Sequence, residues 1–411
     1  IRKDQPMLSH RLRKAAVKGA AISFINARRY DFNFPALQQA VHADEIIPAL
    51  AAIAKALSVN GATIAPAVKK HFDTAAPGKE AVAIAKALAE GERKIVLIGS
   101  QAYLSPHYSD ICTIAREIAR AANAGFGLLP LGANSAGLWL AGVVPHRQPG
   151  GKAVAKAGLD ARQMVEQKKR MYVLYGVDPE YDTWDARATM AALEGAQHVI
   201  AFSSFDSPAL RERAQLILPL ATFAETDGTY VNIEGRWQSW RRAAKAPAET
   251  REGWRILRML GDLARQPGFE YFSADDIRNE IAALCEKLQL DNSAPAAEVA
   301  FAGRNTLSGN RLLRVSEVPI YATDPVVRRS VPLQETEDAK ASRRALVHPE
   351  TAKRLKLSPD SNVELRLNGA SAQFQLRIDD SIAPGCVWTP LGVPGAPLLG
   401  GAYSVVEVEP K

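Results

Sequence analysis

Cysteine is scarce in this chain: 411 residues hold three, Cys112, Cys285 and Cys386, each about 100 residues or more from the next. No CxxC or CxH spacing occurs, so the sequence writes neither a tetrahedral zinc site nor a cysteine-held iron–sulfur cluster. Scattered free thiols suit a reducing compartment better than a secreted one. Histidine is nearly as sparse, and His10, His42, His71, His107, His146, His198 and His348 show no metal-ligand spacing. There is no HExxH and no GxSxG elbow, and no GxGxxG follows a strand pattern. Pro77-Gly78-Lys79-Glu80 lacks the first glycine and the Ser/Thr of a P-loop. Ser203-Ser204 reads as turn or cap residues. These absences remove the common signatures of metal, dinucleotide, nucleoside-triphosphate and serine-nucleophile chemistry.

An excess of charge of one sign is also missing. Lys plus Arg is 51 against 44 for Asp plus Glu, leaving a net charge of +7. The densest basic run, Arg241, Arg242, Lys245, Arg251, Arg255 and Arg258, has only Trp254 placed for base stacking. It reads as a solvated face, and no nucleic-acid partner is expected. Residues 121–145 carry no charge, yet Pro130, Pro145, Asn134, Ser135 and repeated glycines would leave backbone groups unpaired in lipid. A buried, glycine-rich loop followed by a short helix is expected there, with no membrane insertion. No apolar leader opens the chain. Residues 1–18 instead form an amphipathic helical pattern, and a start at Ile1 inside such an element reads as a cut in a longer protein.

What the chain does have is the composition of a globular protein, 47% hydrophobic and 23% charged, with length for two or three domains. Short apolar strand patterns alternate with helical ones. Strands are expected at 20–25, 94–99, 171–175, 198–202 and 216–218. Helices are expected at 36–43, 46–57, 79–90, 108–122, 159–168, 186–193, 208–214, 253–263 and 275–288. Near-continuous apolar strands between helices predict parallel sheets covered on both faces. After Asp291 the composition shifts to small residues, proline and charge. From Ala345 it turns β-rich, with alternation at Val363, Leu365 and Leu367, a turn at Asn368-Gly369, and alternation again at Phe374, Leu376 and Ile378. The expected organisation is a first α/β domain over 1–150, a second over 151–290, a linker over 291–340 and a small β domain over 341–411.

Two places invite a functional reading. Tyr175-Gly176-Val177-Asp178-Pro179 directly follows a predicted parallel strand, where open α/β sheets take ligands. Gly176 would allow close backbone approach and Asp178 would accept from hydroxyls; the alternative is a plain strand-to-helix turn. Residues 218–240 (LPLATFAETDGTYVNIEGRWQSW) interleave Glu225, Thr226, Asp227, Thr229, Asn232, Glu234, Arg236 and Gln238 with aromatic and aliphatic residues. Such groups either pair with one another when half buried or line a polar cofactor cleft.

Residues 218–240, continued by REGWRILRMLGDL over 251–263, resemble the molybdopterin oxidoreductase superfamily. The matching positions are Pro219, Glu225, Gly228, Thr229, Asn232, Glu234, Gly235, Arg236 and Gln238. More narrowly, with the opening RKDQPMLSHRLRKAAVKGA, the chain is similar to the C-terminal part of the 75 kDa subunit group of NADH-quinone oxidoreductase, respiratory complex I. Residues 175–179 match the superfamily's G-x-[DN]-P turn, and 347–357, 363–367 and 384–390 look like its C-terminal six-stranded barrel. The resemblance implies an α/β fold: two doubly wound, Rossmann-like parallel-sheet domains plus a small C-terminal β-barrel. It implies a parent complex passing electrons from NADH through iron–sulfur clusters to quinone, coupled to proton translocation. Those clusters would be bound upstream of Ile1, with none in these residues. The implied partners are other peripheral-arm subunits, on the cytoplasmic face of the bacterial inner membrane.

In the superfamily's enzymes, residues 176–179 would lie beside a pterin dinucleotide. The complex I group uses neither molybdenum nor pterin, so Gly176, Asp178, Glu225, Asn232 and Arg236 are expected to mark a vestigial cleft. No catalytic residue, metal or cofactor is then expected here, and the chain alone should be inactive. The rival is part of a pterin-binding oxidoreductase such as a formate dehydrogenase relative, which shares the fold and differs in the cleft.

Overall fold

The structure, a computed structural model, describes residues 3–69, 72–73, 75–289, 298–301, 303 and 307–411. Ile1, His71 and the start of the expected linker, 291–297, lie outside the described residues. The chain forms two compact units, one from 1–129, 292–323 and 331–411, the other from 130–291 and 324–330.

The first unit opens with helix α1 (Pro6–Val17), followed by strands β1 (Ser23–Asn26) and β2 (Leu37–Ala40). These two pair in parallel, Ser23 opposite Leu37. The helix expected over 36–43 is therefore a correction. Residues 36–43 are too short a segment to sustain a helix on their own, and pairing with β1 satisfies the Leu37–Ala40 backbone instead. Helices α2 (Ile46–Val59) and α3 (Lys79–Glu90), strand β3 (Ile95–Ile98), helix α4 (Tyr108–Ala121) and strand β4 (Gly125–Leu128) follow. β3 and β4 are again parallel. The core lies between helices, with Ile47, Leu50, Ile53 and Leu57 of α2 clustering with Ile111, Ile114 and Ile118 of α4. Glu117 on α4 sits 6% exposed at its side chain and accepts from the Ala65 N–H and from the Arg120 guanidinium. A buried carboxylate is tolerated there because its oxygens are fully bonded.

The second unit runs through α5 (Ser135–Leu140), α6 (Ala161–Glu166), β5 (Met171–Tyr175), α7 (Ala186–Glu194), β6 (His198–Ser203), α8 (Pro208–Arg213) and β7 (Leu216–Pro219). β5, β6 and β7 form one parallel sheet with β6 central. Val199, Ala201 and Phe202 of β6 are buried, as a central strand requires. An antiparallel hairpin, β8 (Gly228–Val231) and β9 (Trp237–Trp240), and helices α9 (Gly253–Leu263) and α10 (Ala274–Cys285) complete it. The uncharged stretch before His146 forms β4, a loop and α5, but its burial is not met: Leu131, Leu138, Trp139 and Val143 are exposed. Its glycines and prolines build a loop whose backbone stays solvated. No helix among the described residues is long and apolar enough to cross a membrane.

A closed barrel completes the first unit. Strands β10 (Arg311–Glu317), β11 (Ala345–Val347), β12 (Asn362–Leu367), β13 (Ala370–Ile378), β14 (Cys386–Pro390) and β15 (Val405–Pro410) close in the order β10-β14-β11-β13-β12-β15. The Asn368-Gly369 turn joins β12 to β13, with Leu367 opposite Ala370. Both turn residues have positive φ, 49° and 79°, as a two-residue hairpin loop of the I′ kind demands. β10 falls inside the stretch whose composition reads as linker. Its residues are buried on both faces, Leu312 in the barrel core and Leu313 and Val315 in a second cluster with Ile382 and Trp388, so RLLRVSE lacks the polar alternation that marks a half-exposed strand. The fold is thus α/β with two parallel-sheet bodies and a six-stranded barrel.

Candidate functional site

β5 ends at Tyr175, and the Gly176 N–H extends the ladder by donating to the Phe202 carbonyl at 2.8 Å. Gly176 then takes φ +64°, which only glycine adopts readily, and the chain turns sharply away from the sheet. Two residues on, Asp178 is 1% exposed. Its N–H donates to Asp182 Oδ2 at 2.8 Å. Its carboxylate receives two guanidiniums. Arg328 Nη2 donates to Oδ2 at 3.0 Å, Arg329 Nη1 to Oδ2 at 2.8 Å and Arg329 Nη2 to Oδ1 at 3.4 Å. Arg328 also reaches Asp182 Oδ1 at 2.7 Å. Each guanidinium lies near an aromatic ring, Arg328 at 5.2 Å from the centroid of Tyr181 and Arg329 at 4.6 Å from that of Phe205.

The arginines come from a short turn, Pro325–Arg328. Asp324 caps it by accepting from the Val326 and Val327 N–H groups at 2.9 Å each. An Asp cap followed by proline is a helix-start signal. Beside this pair stands Glu180, whose carboxyl burial pushes up from its ordinary range and whose Oε2 finds no hydrogen-bond partner. Asp178 and Asp182 already balance the two arginines, and a third negative charge beside them would go uncompensated.

The other candidates have local duties. Glu225 Oε2 accepts from the Thr222 N–H at 2.9 Å. Asn232 Oδ1 accepts from the N–H groups of Glu234 and Arg236 at 3.0 and 2.9 Å, closing the β8–β9 turn. Arg236 is exposed at the end of that turn. Within 218–240 these hydrogen bonds tie the turn of a hairpin. Its glycine has a packing role too: a Cβ on Gly228 would lie 2.3 Å from the Trp240 ring, and the indole is fixed by its Nε1–H on the Thr226 carbonyl at 3.0 Å. Gly228→Ala is expected to lower unfolding free energy by about 1–3 kcal/mol through overpacking. Urea unfolding followed by tryptophan fluorescence checks it, and a midpoint equal to wild type would refute the packing role. Among the described residues, no group of three or more His, Cys, Asp or Glu is placed to hold a metal ion.

The molybdopterin oxidoreductase sequence pattern matches residues 1–263. The chain belongs to that family. It is similar to a subunit of NADH-quinone oxidoreductase from Shewanella oneidensis, 28% identical over 289 residues that cover 63% of this chain and 30% of that one. The mitochondrial 78 kDa subunit of NADH-ubiquinone oxidoreductase from Candida albicans is 27% identical over 278 residues, 63% of this chain and 36% of the relative. The chain is also similar to F420-dependent formate dehydrogenase subunit alpha of Methanocaldococcus jannaschii, 32% identical over 133 residues covering 30% of this chain and 19% of the relative. The matches thus span between 19% and 36% of these relatives' own length. Among solved structures, acetylene hydratase from Pelobacter acetylenicus superposes with a TM-score of 0.64 at 10% identity, over 97% of this chain and 75% of the other, a likeness of fold alone.

Membership of the molybdopterin oxidoreductase family raises the question of its namesake group. The turn after β5 is where a ligand of an open α/β sheet belongs. Asp178 has both carboxylate oxygens bonded to arginine and is shut off from solvent. As folded, Asp178 is not free to accept from the hydroxyls of a dinucleotide. Sequence reading singled out Gly176 and Asp178 but missed Asp182, Arg328 and Arg329; Asp324-Pro325 ahead of Arg328-Arg329 was the available signal.

Proposed function

We propose that this member of the molybdopterin oxidoreductase family serves as a structural, non-redox portion of an electron-transfer subunit, of the 75–78 kDa type found in NADH-quinone oxidoreductase. The observation that carries the reading is the similarity to such subunits, which extends over 63% of the chain. The engagement of Asp178 by the chain's own arginines supports it. On this reading the parent complex passes electrons from NADH through iron–sulfur clusters to quinone, and this portion contributes scaffold and docking surface to other peripheral-arm subunits at the cytoplasmic face of the inner membrane.

A second reading, part of a pterin-binding formate dehydrogenase relative, is favoured by the higher identity to the F420-dependent enzyme, 32% over 133 residues. The two differ in what the purified chain carries. The first predicts no molybdenum, no releasable pterin, no iron and no NADH oxidation; the second predicts molybdenum and pterin together.

A further inference from the structure

We propose that the C-terminal end of β5 is a guanidinium-binding site whose ligand is the chain's own Arg328–Arg329 pair, which closes this turn to other planar N–H donors. The site has the parts such a ligand needs. Two carboxylates, Asp178 and Asp182, converge on the arginines with donor–acceptor distances of 2.7–3.0 Å at their shortest contacts. Two rings, Tyr181 and Phe205, offer one face to each guanidinium. Carboxylate in the plane and aromatic face above is the combination that selects arginine over a compact ammonium.

Burial distinguishes this from an ordinary surface ion pair. The Asp178 side chain is 1% exposed and that of Arg328 8%, so this pair is shielded from the screening that weakens exposed ones. The ligand is tethered as well. Residues 324–330 group with the second unit, while the chain on either side of them groups with the first. A covalently attached ligand holds its site at an effective concentration that free competitors do not reach. The site also lies where an open parallel sheet ordinarily receives a small molecule. The inference goes beyond the proposed function and stands whichever parent complex the chain serves.

Trypsin tests occupancy directly in the wild-type protein, since it cleaves after the arginines in question. Docked, Arg328 and Arg329 are expected to be cut at least about tenfold more slowly than the exposed Arg265, because cleavage must wait for local opening. Asp178→Asn combined with Asp182→Asn is expected to abolish that protection while cleavage after Arg265 keeps its rate. Equal rates at the two places in wild type would overturn the proposal. Ligand identity is tested with Arg328→Gln/Arg329→Gln. Methylguanidinium chloride at millimolar concentration should raise its melting temperature, sodium chloride should not, and neither should move wild type. Stabilisation of wild type by methylguanidinium would contradict a closed site, and no rescue of the folded double variant would contradict a guanidinium site.

Discussion

Arg314→Ala is expected to cost the barrel about 3–5 kcal/mol, among the largest effects of any single substitution. Arg314 on β10 is fully buried, and its guanidinium is held by neutral oxygens. Nε donates to Thr389 Oγ1 at 2.8 Å, and Nη1 to the carbonyls of Leu399, Gly400 and Gly401 at 3.0, 2.9 and 3.3 Å. Nη2 donates to the Ala396 carbonyl at 3.4 Å. Burial draws its pKa down to about 10, so the group is still a cation at neutral pH.

Two effects compete. Removing the charge recovers desolvation energy, but truncation strips donors from one hydroxyl and four carbonyls and leaves a cavity where a long side chain stood. The unsatisfied carbonyls and the cavity win, because this one side chain bonds the 396–401 segment at four of its carbonyls. Arg314→Met fills most of the volume while losing the hydrogen bonds, and should fall between wild type and alanine. Chemical denaturation followed at Trp388, on the adjoining β14, reads both. A loss below about 1 kcal/mol for alanine would show that the guanidinium is not organising the barrel.

Asp178→Ala should destabilise the second unit by about 3–5 kcal/mol, the range for removing one partner of a buried ion pair. Arg328 would retain Asp182, while Arg329, 30% exposed at its side chain, would lose its carboxylate. Asp178→Asn keeps one oxygen as acceptor and fits the same space. Its cost should be smaller, about 1–3 kcal/mol, the value of a charge-assisted bond made neutral. Equilibrium unfolding of the three proteins gives the order wild type, asparagine, alanine; an alanine variant as stable as wild type would mean that the pair is not holding the turn.

The parts of this fold that sequence periodicity reveals are those governed by local rules. Residues 171–175 and 253–263 carry their apolar patterns to the observed boundaries of β5 and α9, and Asn368-Gly369 announces its hairpin by backbone chemistry alone. Elements decided by distant partners escape such rules. β2 is a strand because β1 lies beside it. β10 is a strand because β14 and β15 flank it, although its surroundings in sequence look like linker. The candidate site divides along the same line. Gly176 and Asp178 are legible from their place after a strand. The arginines that define the chemistry there are 150 and 151 residues away in sequence, and a short capped turn inside a polar stretch gives no sign of what it docks against. Residues 218–240 teach the converse: Asn232, which by type suits a cofactor cleft, turns a hairpin together with Gly235.

The measurement that bears most directly on the proposed role is the cofactor content of this 411-residue chain, produced by itself in cells that make molybdopterin and purified anaerobically, by elemental analysis for molybdenum and iron and by fluorescence of acid-released pterin. The account predicts that all three are below one tenth of the protein on a molar basis, about the level of adventitious binding. Molybdenum and pterin recovered together at near one per chain would contradict it and place the protein among the pterin-dependent enzymes of its family.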